Sequence, residues 1–105
     1  MTDFERQFRN ALQDVKIAME RAFLEVGGVP VTGSNLDQFG LQDGAIIIES
    51  YLEHYEWGVA LEHLIYMIYS VDLPISLDTF YFIRQAGIDM RIDTKFVKEA
   101  YIRKA

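Results

Sequence analysis

Two histidines, His54 and His63, and the glutamates Glu49, Glu53, Glu56 and Glu62 are the side chains through which this chain could do acid–base or metal chemistry. Histidine titrates near neutrality and ligates metals, and clustered carboxylates can share protons or hold hard cations. Spacing argues against each use. His54 and His63 stand nine apart, off a common helical face, with a short break at Tyr55-Glu56-Trp57-Gly58 between them. The chain has no cysteine, no H-E-x-x-H and no Glu-x-x-His pair, so zinc and di-iron sites lack their donors. No glycine-flanked nucleophile accompanies either histidine. Gly27-Gly28 follows a helical pattern instead of opening one, so it makes no phosphate cradle. The expectation is a protein that is not an enzyme, with no catalytic residue, metal or cofactor.

What remains is charge and aromatic surface. Residues 22–83 contain nine acids (Glu25, Asp37, Asp43, Glu49, Glu53, Glu56, Glu62, Asp72 and Asp78) and no lysine or arginine. The first 21 residues are balanced, residues 84–105 carry net +3, and the whole chain is −6. A long stretch of one sign repels nucleic acid and anionic membranes and attracts basic partners, although acidic surfaces also simply keep proteins soluble. The cations Lys95, Lys98, Arg103 and Lys104 suit the end of a helix better than a nucleic-acid surface. Tyr51, Tyr55, Tyr66, Tyr69, Tyr81 and Trp57 all lie within the acidic stretch. Tyrosine among carboxylates suits a protein interface, since it adds rigid area with a polar tip. Trp57 reads better as a core residue.

The elements that would position these groups are helical. Phe4, Phe8, Leu12, Val15, Met19, Phe23 and Val26 recur at three and four, predicting a helix from about Asp3 to Val26, capped by Thr2 or Asp3 and stopped by Gly27-Gly28. Residues 27–39 read as a loop. A second helix should run from Asp43 to about His54, with Ile48, Tyr51, Leu52 and Tyr55 facing the core and Glu49, Glu53 and Glu56 sharing another face. Ile46-Ile47-Ile48 has strand propensity, but the residues after it keep the helical period. Val59 to Val71 forms a third, mostly apolar helix, ended by Leu73-Pro74-Ile75. Its apolar run is interrupted by Glu62-His63 and falls short of the ~18 residues of a membrane span. Ser76 caps a fourth helix that Gly87 should terminate, with Phe80, Phe82 and Ile83 buried. Ile88 to Ile92 reads as a connector, and Asp93 or Thr94 should cap a fifth helix through about Arg103, with Phe96, Val97, Ala100 and Tyr101 as its apolar side. The fold expected is all-α: one domain, residues 1–105, a bundle of about five helices.

The segment Tyr55 to Asp93 carries a resemblance. Glu56-Trp57-Gly58-Val59-Ala60-Leu61-Glu62-His63-Leu64, then Val71-Asp72-Leu73-Pro74-Ile75-Ser76, then a helix reaching Ala86-Gly87, resembles the MafI-type bacterial immunity proteins. That family shows a Gly-x-Ala-Leu-Glu helix and an Asp-x-Pro-[Ile/Leu]-[Ser/Thr] turn. The likeness covers roughly the second half of the chain, and its first motif also occurs in helical-repeat proteins. The long first helix and the 27–39 loop lie outside it.

What the resemblance implies is a neutraliser of a secreted antibacterial toxin, often a C-terminal nuclease domain of polymorphic or contact-dependent systems, EndoU-like ribonucleases among them. A nuclease needs a basic cleft, which carboxylates can meet quickly through electrostatic steering. The expected partner-binding residues are Glu49, Glu53, Glu56, Glu62 and Asp72, with Tyr55, Tyr66 and Tyr69. The expected partner is the basic surface of a toxin nuclease, not nucleic acid or membrane. The N-terminus is charged from its first residues and lacks a secretory signal, so a cytoplasmic location is expected. The rival reading is a helical scaffold or adaptor related to helix-hairpin repeats; no repeat of about 34 residues is visible to support an array.

Overall fold

The computed structural model describes residues 2–104, and among them the chain is all-α, with no β-strand. Four helices form: α1 Asp3–Glu25, α2 Gly44–Glu53, α3 Trp57–Ser70 and α4 Leu77–Met90. α1 and α3 each contact the other three helices, so the core lies around these two. The α1 stripe of Phe8, Ala11, Leu12, Val15, Ala18, Met19 and Phe23 is buried as its spacing predicts. On α3, Ala60, Leu61, Leu64, Ile65, Met67 and Ile68 are buried. Each large side chain fully withdrawn here contributes roughly 1.5–3 kcal/mol relative to exposure. Ile48 and Leu52 carry α2 onto this core, and the Ile46-Ile47-Ile48 run is helical because burial of that face outweighs its strand propensity.

Aromatic packing ties α1 to α3 and α4. Trp57 sits edge-on to Phe4 at 5.6 Å between ring centroids, and Phe82 approaches Phe8 to 5.2 Å. Trp57 is thus a packing residue, as its position suggested.

All four helices close in the same way. The N–H groups of Gly28, Glu56, Leu73 and Ile92 reach back to the carbonyls of Phe23, Tyr51, Ile68 and Gly87, the six-to-one bond of a Schellman cap. The residue before each donor adopts a left-handed conformation: Gly27 at φ +74°, Tyr55 at +58°, Asp72 at +49° and Arg91 at +57°. Glycine does this at little cost, whereas a side chain costs roughly 1–2 kcal/mol.

The structure departs from expectation in the last third. Gly87 does not end α4; it lies inside the helix, where a Cβ would stand 2.3 Å from Thr94 Cγ2 and 2.9 Å from the Ile92 carbonyl oxygen. Its smallness admits the returning chain, and α4 continues through Met90, so residues 88–90 are helical, not a connector. The fifth helix is absent. Residues after Arg91 form an irregular segment with one 3-10 turn, Glu99–Tyr101, and an isolated parallel bridge between Ile75 and Ile102. Of its supposed apolar face only Val97 is fully buried, while Phe96 is 52% exposed.

Two polar networks hold that segment. Asp14 on α1 accepts hydrogen bonds from the Ser76 N–H at 2.8 Å, the Thr79 hydroxyl at 2.8 Å and Arg103 Nη2 at 2.6 Å. Burial pushes its carboxyl upward, but the bonds from Ser76, Arg103 and Thr79 and the charge of Arg103 outweigh this and hold it below its usual 3.8. Arg84 lies over the Phe80 ring and donates to the carbonyls of Thr94 and Val97.

Candidate partner-binding surface

The stretch without lysine or arginine becomes the loop at residues 26–43, then α2, α3 and the start of α4. α2 ends at Glu53 and Glu56 takes the N-cap position of α3, so helical spacing does not carry Glu49, Glu53 and Glu56 onto one face. The break after His54 lies where the sequence puts it, but the left-handed turn at Tyr55 takes Glu56 off the helical period that Glu49 and Glu53 follow. Tyr55 is not a core residue of α2 either: it is 75% exposed, with its ring 6.1 Å from that of Trp57. Glu49 is half-buried, and its carboxylate receives Arg9 Nη1 at 2.6 Å. A surface pair of this kind contributes about 0–1 kcal/mol, but it offsets the charge of Glu49 toward a partner.

Glu56, Val59, Glu62, Tyr66 and Tyr69 recur at three and four along α3 and form one outward stripe. From Glu56 to Tyr69 it spans about 20 Å at 1.5 Å per residue. Glu53, Tyr55, Glu56 and Glu62 are exposed, Val59 is 46% exposed and Tyr69 43%. Val59 opens the mostly apolar run of α3, yet it falls three before Glu62 and seven before Tyr66, the spacing that marks the same outward face. The Tyr69 ring lies 6.1 Å from Tyr66 and 5.5 Å from Phe96, so Phe96 extends the aromatic surface. No local signal separates an outward Phe96 from a buried one.

At the far end Asp72 is also exposed, and the Tyr101 hydroxyl donates to it at 2.6 Å. That hydrogen bond to a carboxylate raises the phenol above its usual 10. Tyr66 is half-buried and donates through its hydroxyl to the Phe39 carbonyl at 2.6 Å, while His63 Nε2 meets the Gly40 carbonyl at 2.9 Å. These two side chains fasten the end of the 26–43 loop to α3, with Leu41 fully buried beyond them. Phe39 itself is almost fully exposed.

His63 therefore has a structural partner, as does His54, whose Nδ1 bonds the Ser50 carbonyl at 2.7 Å. Among the described residues no group of three or more histidine, cysteine, aspartate or glutamate side chains is placed to hold a metal ion. Among the described residues no helix is long and apolar enough to cross a membrane. Part of the cationic charge after residue 83 turns inward, through Arg84 on the carbonyls and Arg103 on Asp14 and the Pro74 carbonyl. A separate cleft of about 570 Å³ opens between α1 and α2, floored by Met19, Phe23, Leu41 and Met67 with Lys16 and Glu20 at its edge.

The short motifs in Tyr55–Asp93 have folding roles. Ala60 and Leu61 are buried, Ile75 pairs with Ile102, and the Ser76 hydroxyl caps α4 by accepting from the Thr79 N–H. Glu62 is the residue of the Gly-x-Ala-Leu-Glu motif with a charge turned to solvent. No family model, curated protein or solved structure matches the chain.

Proposed function

We propose that this protein is an immunity protein that binds and neutralises a secreted antibacterial nuclease toxin, an EndoU-like ribonuclease being the favoured class. The observation that carries the reading is the stripe on α3 in which Glu56, Val59, Glu62 and Tyr69 are exposed and Tyr66 is half-buried, within a sequence stretch that contains no lysine or arginine. Interfaces of high affinity place aromatic anchors at the centre and matched charge around them. Tyr66 and Tyr69 offer the anchors, already held by Phe39 and Phe96. Glu53, Glu56 and Glu62 offer the charge. The resemblance to MafI-type immunity proteins supplies a partner of the fitting sign, because a nuclease cleft must be positive to hold phosphate.

In this mechanism the protein performs no chemistry. It competes with RNA for the basic cleft, with association accelerated by the carboxylates and slow dissociation secured by desolvated tyrosines. The cytoplasm of the toxin-producing cell is where such protection acts.

The test is to read the neighbouring genes for a secreted toxin with a nuclease domain and to co-express that domain with this chain; the absence of such a gene counts against the assignment. The triple variant E53K/E56K/E62K should lose protection while keeping the helical circular-dichroism spectrum of the parent. Glu49 is left out because its reversal would also break the pair with Arg9. Full protection by the triple variant sinks the assignment.

A further inference from the structure

The four helix caps serve as an internal comparison. At the same left-handed position α1 uses Gly27, whereas α2, α3 and α4 use Tyr55, Asp72 and Arg91. Two of the three side chains have a local reason to be there. Asp72 accepts the Tyr101 hydroxyl, and aspartate tolerates the left-handed region better than most residues. Arg91 places a cation at the negative end of the α4 dipole.

Tyr55 has neither compensation. It is 75% exposed, its hydroxyl makes no hydrogen bond among the described residues, and its nearest aromatic neighbour is Trp57 at 6.1 Å. A bulky residue held in a sparsely populated backbone state, with little return inside the fold, points to a use outside it. Its chain neighbours define that use. Glu53 and Glu56 flank it, both exposed, and the cap bonds from Tyr55 N to Leu52 O and from Glu56 N to Tyr51 O hold the tip rigid.

We propose that Tyr55 is the anchor of the α2–α3 tip and clasps an arginine of the basic partner. The guanidinium stacks on the exposed ring, while its planar fork meets a flanking carboxylate. Arginine fits this arrangement better than lysine, because it stacks and donates in a fixed plane. The tight left-handed turn presents the ring in advance, so little freedom is lost on binding. This inference rests on the toxin-neutralising reading, and it identifies one residue within that surface.

Y55G separates a binding role from a structural one, because the two roles predict opposite changes. Glycine relieves the backbone, so the thermal midpoint should rise, by roughly 4 °C for a domain this size. Affinity for the toxin nuclease domain that this chain protects against in co-expression, measured by calorimetry, should fall at least ~30-fold, as for a hot-spot residue. Y55F keeps the ring and should bind within threefold of the parent. R91G gains the same backbone relief and should bind normally. A lower midpoint for Y55G would show that the ring serves the fold and would overturn the inference. So would near-parental binding by Y55G while E53K/E56K/E62K fails to bind. Absence of binding by the parent chain overturns the toxin-neutralising reading, and this inference with it.

Discussion

Two long non-helical segments leave the bundle, and they are fastened in opposite ways. The segment after Arg91 is held by charged side chains: Asp14 receives Ser76, Thr79 and Arg103, and Arg84 donates to the Thr94 and Val97 carbonyls. Among the described residues the 26–43 loop is tied to α3 by no ion pair, only by Tyr66 and His63 to backbone carbonyls and by a buried Leu41. It leaves Val29, Val31 and Phe39 facing water. Charge-assisted bonds are about twice as strong as neutral ones and demand fixed geometry. The first segment is therefore part of the frame, while the second is a surface element pinned at one end.

The contrast is broken most directly at Asp14. D14A leaves a backbone N–H, a buried threonine hydroxyl and an arginine without their common acceptor, and should lower global stability by about 2–4 kcal/mol in urea unfolding. A change near zero would mean that the network is incidental. G87A comes next, since its Cβ would meet Thr94 and the Ile92 carbonyl; about 1–3 kcal/mol is expected, with residues 92–98 shifting first in amide exchange.

Acid should act in the same place, more weakly, because a protonated carboxyl still accepts hydrogen bonds. The folded-state value of Asp14 lies below 3.8, so its contribution is fully present above that pH and is lost as pH falls through the folded value. Thermal midpoints measured from pH 5 downward should show this loss in the parent and not in D14N. The smallest effect belongs to the loop. Y66F removes one neutral hydrogen bond, worth about 0.5–1.5 kcal/mol, and should show itself as faster proteolysis within residues 29–39. Equal global losses from Y66F and D14A would erase the distinction between frame and surface.

The sequence carried α1 almost to the residue, because a seven-member apolar stripe and a glycine pair are strong local signals. The common face of Glu62, Tyr66 and Tyr69 was legible in principle, since it depends on helical spacing alone. Failures arose where a local signal had a distant cause. Gly87 looks like a helix stop, but it is small because Thr94 packs against it. Phe96, Val97, Ala100 and Tyr101 imitate a helical stripe, yet pairing with Ile75 and the pull of Arg84 draw the backbone into another path. Glu49 looked available, but Arg9, forty positions away, meets it. Arg91 ends α4 without glycine, so that turn is invisible to a residue-type reading, whereas the end of α2 near His54 was legible.

The pairing of Asp14 with Arg103 also sets a timetable. The two lie 89 positions apart. At a synthesis rate of about 5–20 residues per second, α1 emerges about 5–20 s before its last charged partner exists. Through that interval the nascent helix cannot be locked, whatever α2 and α3 have already done. The growing chain stays open to chaperones and to rearrangement until Arg103 reaches Asp14.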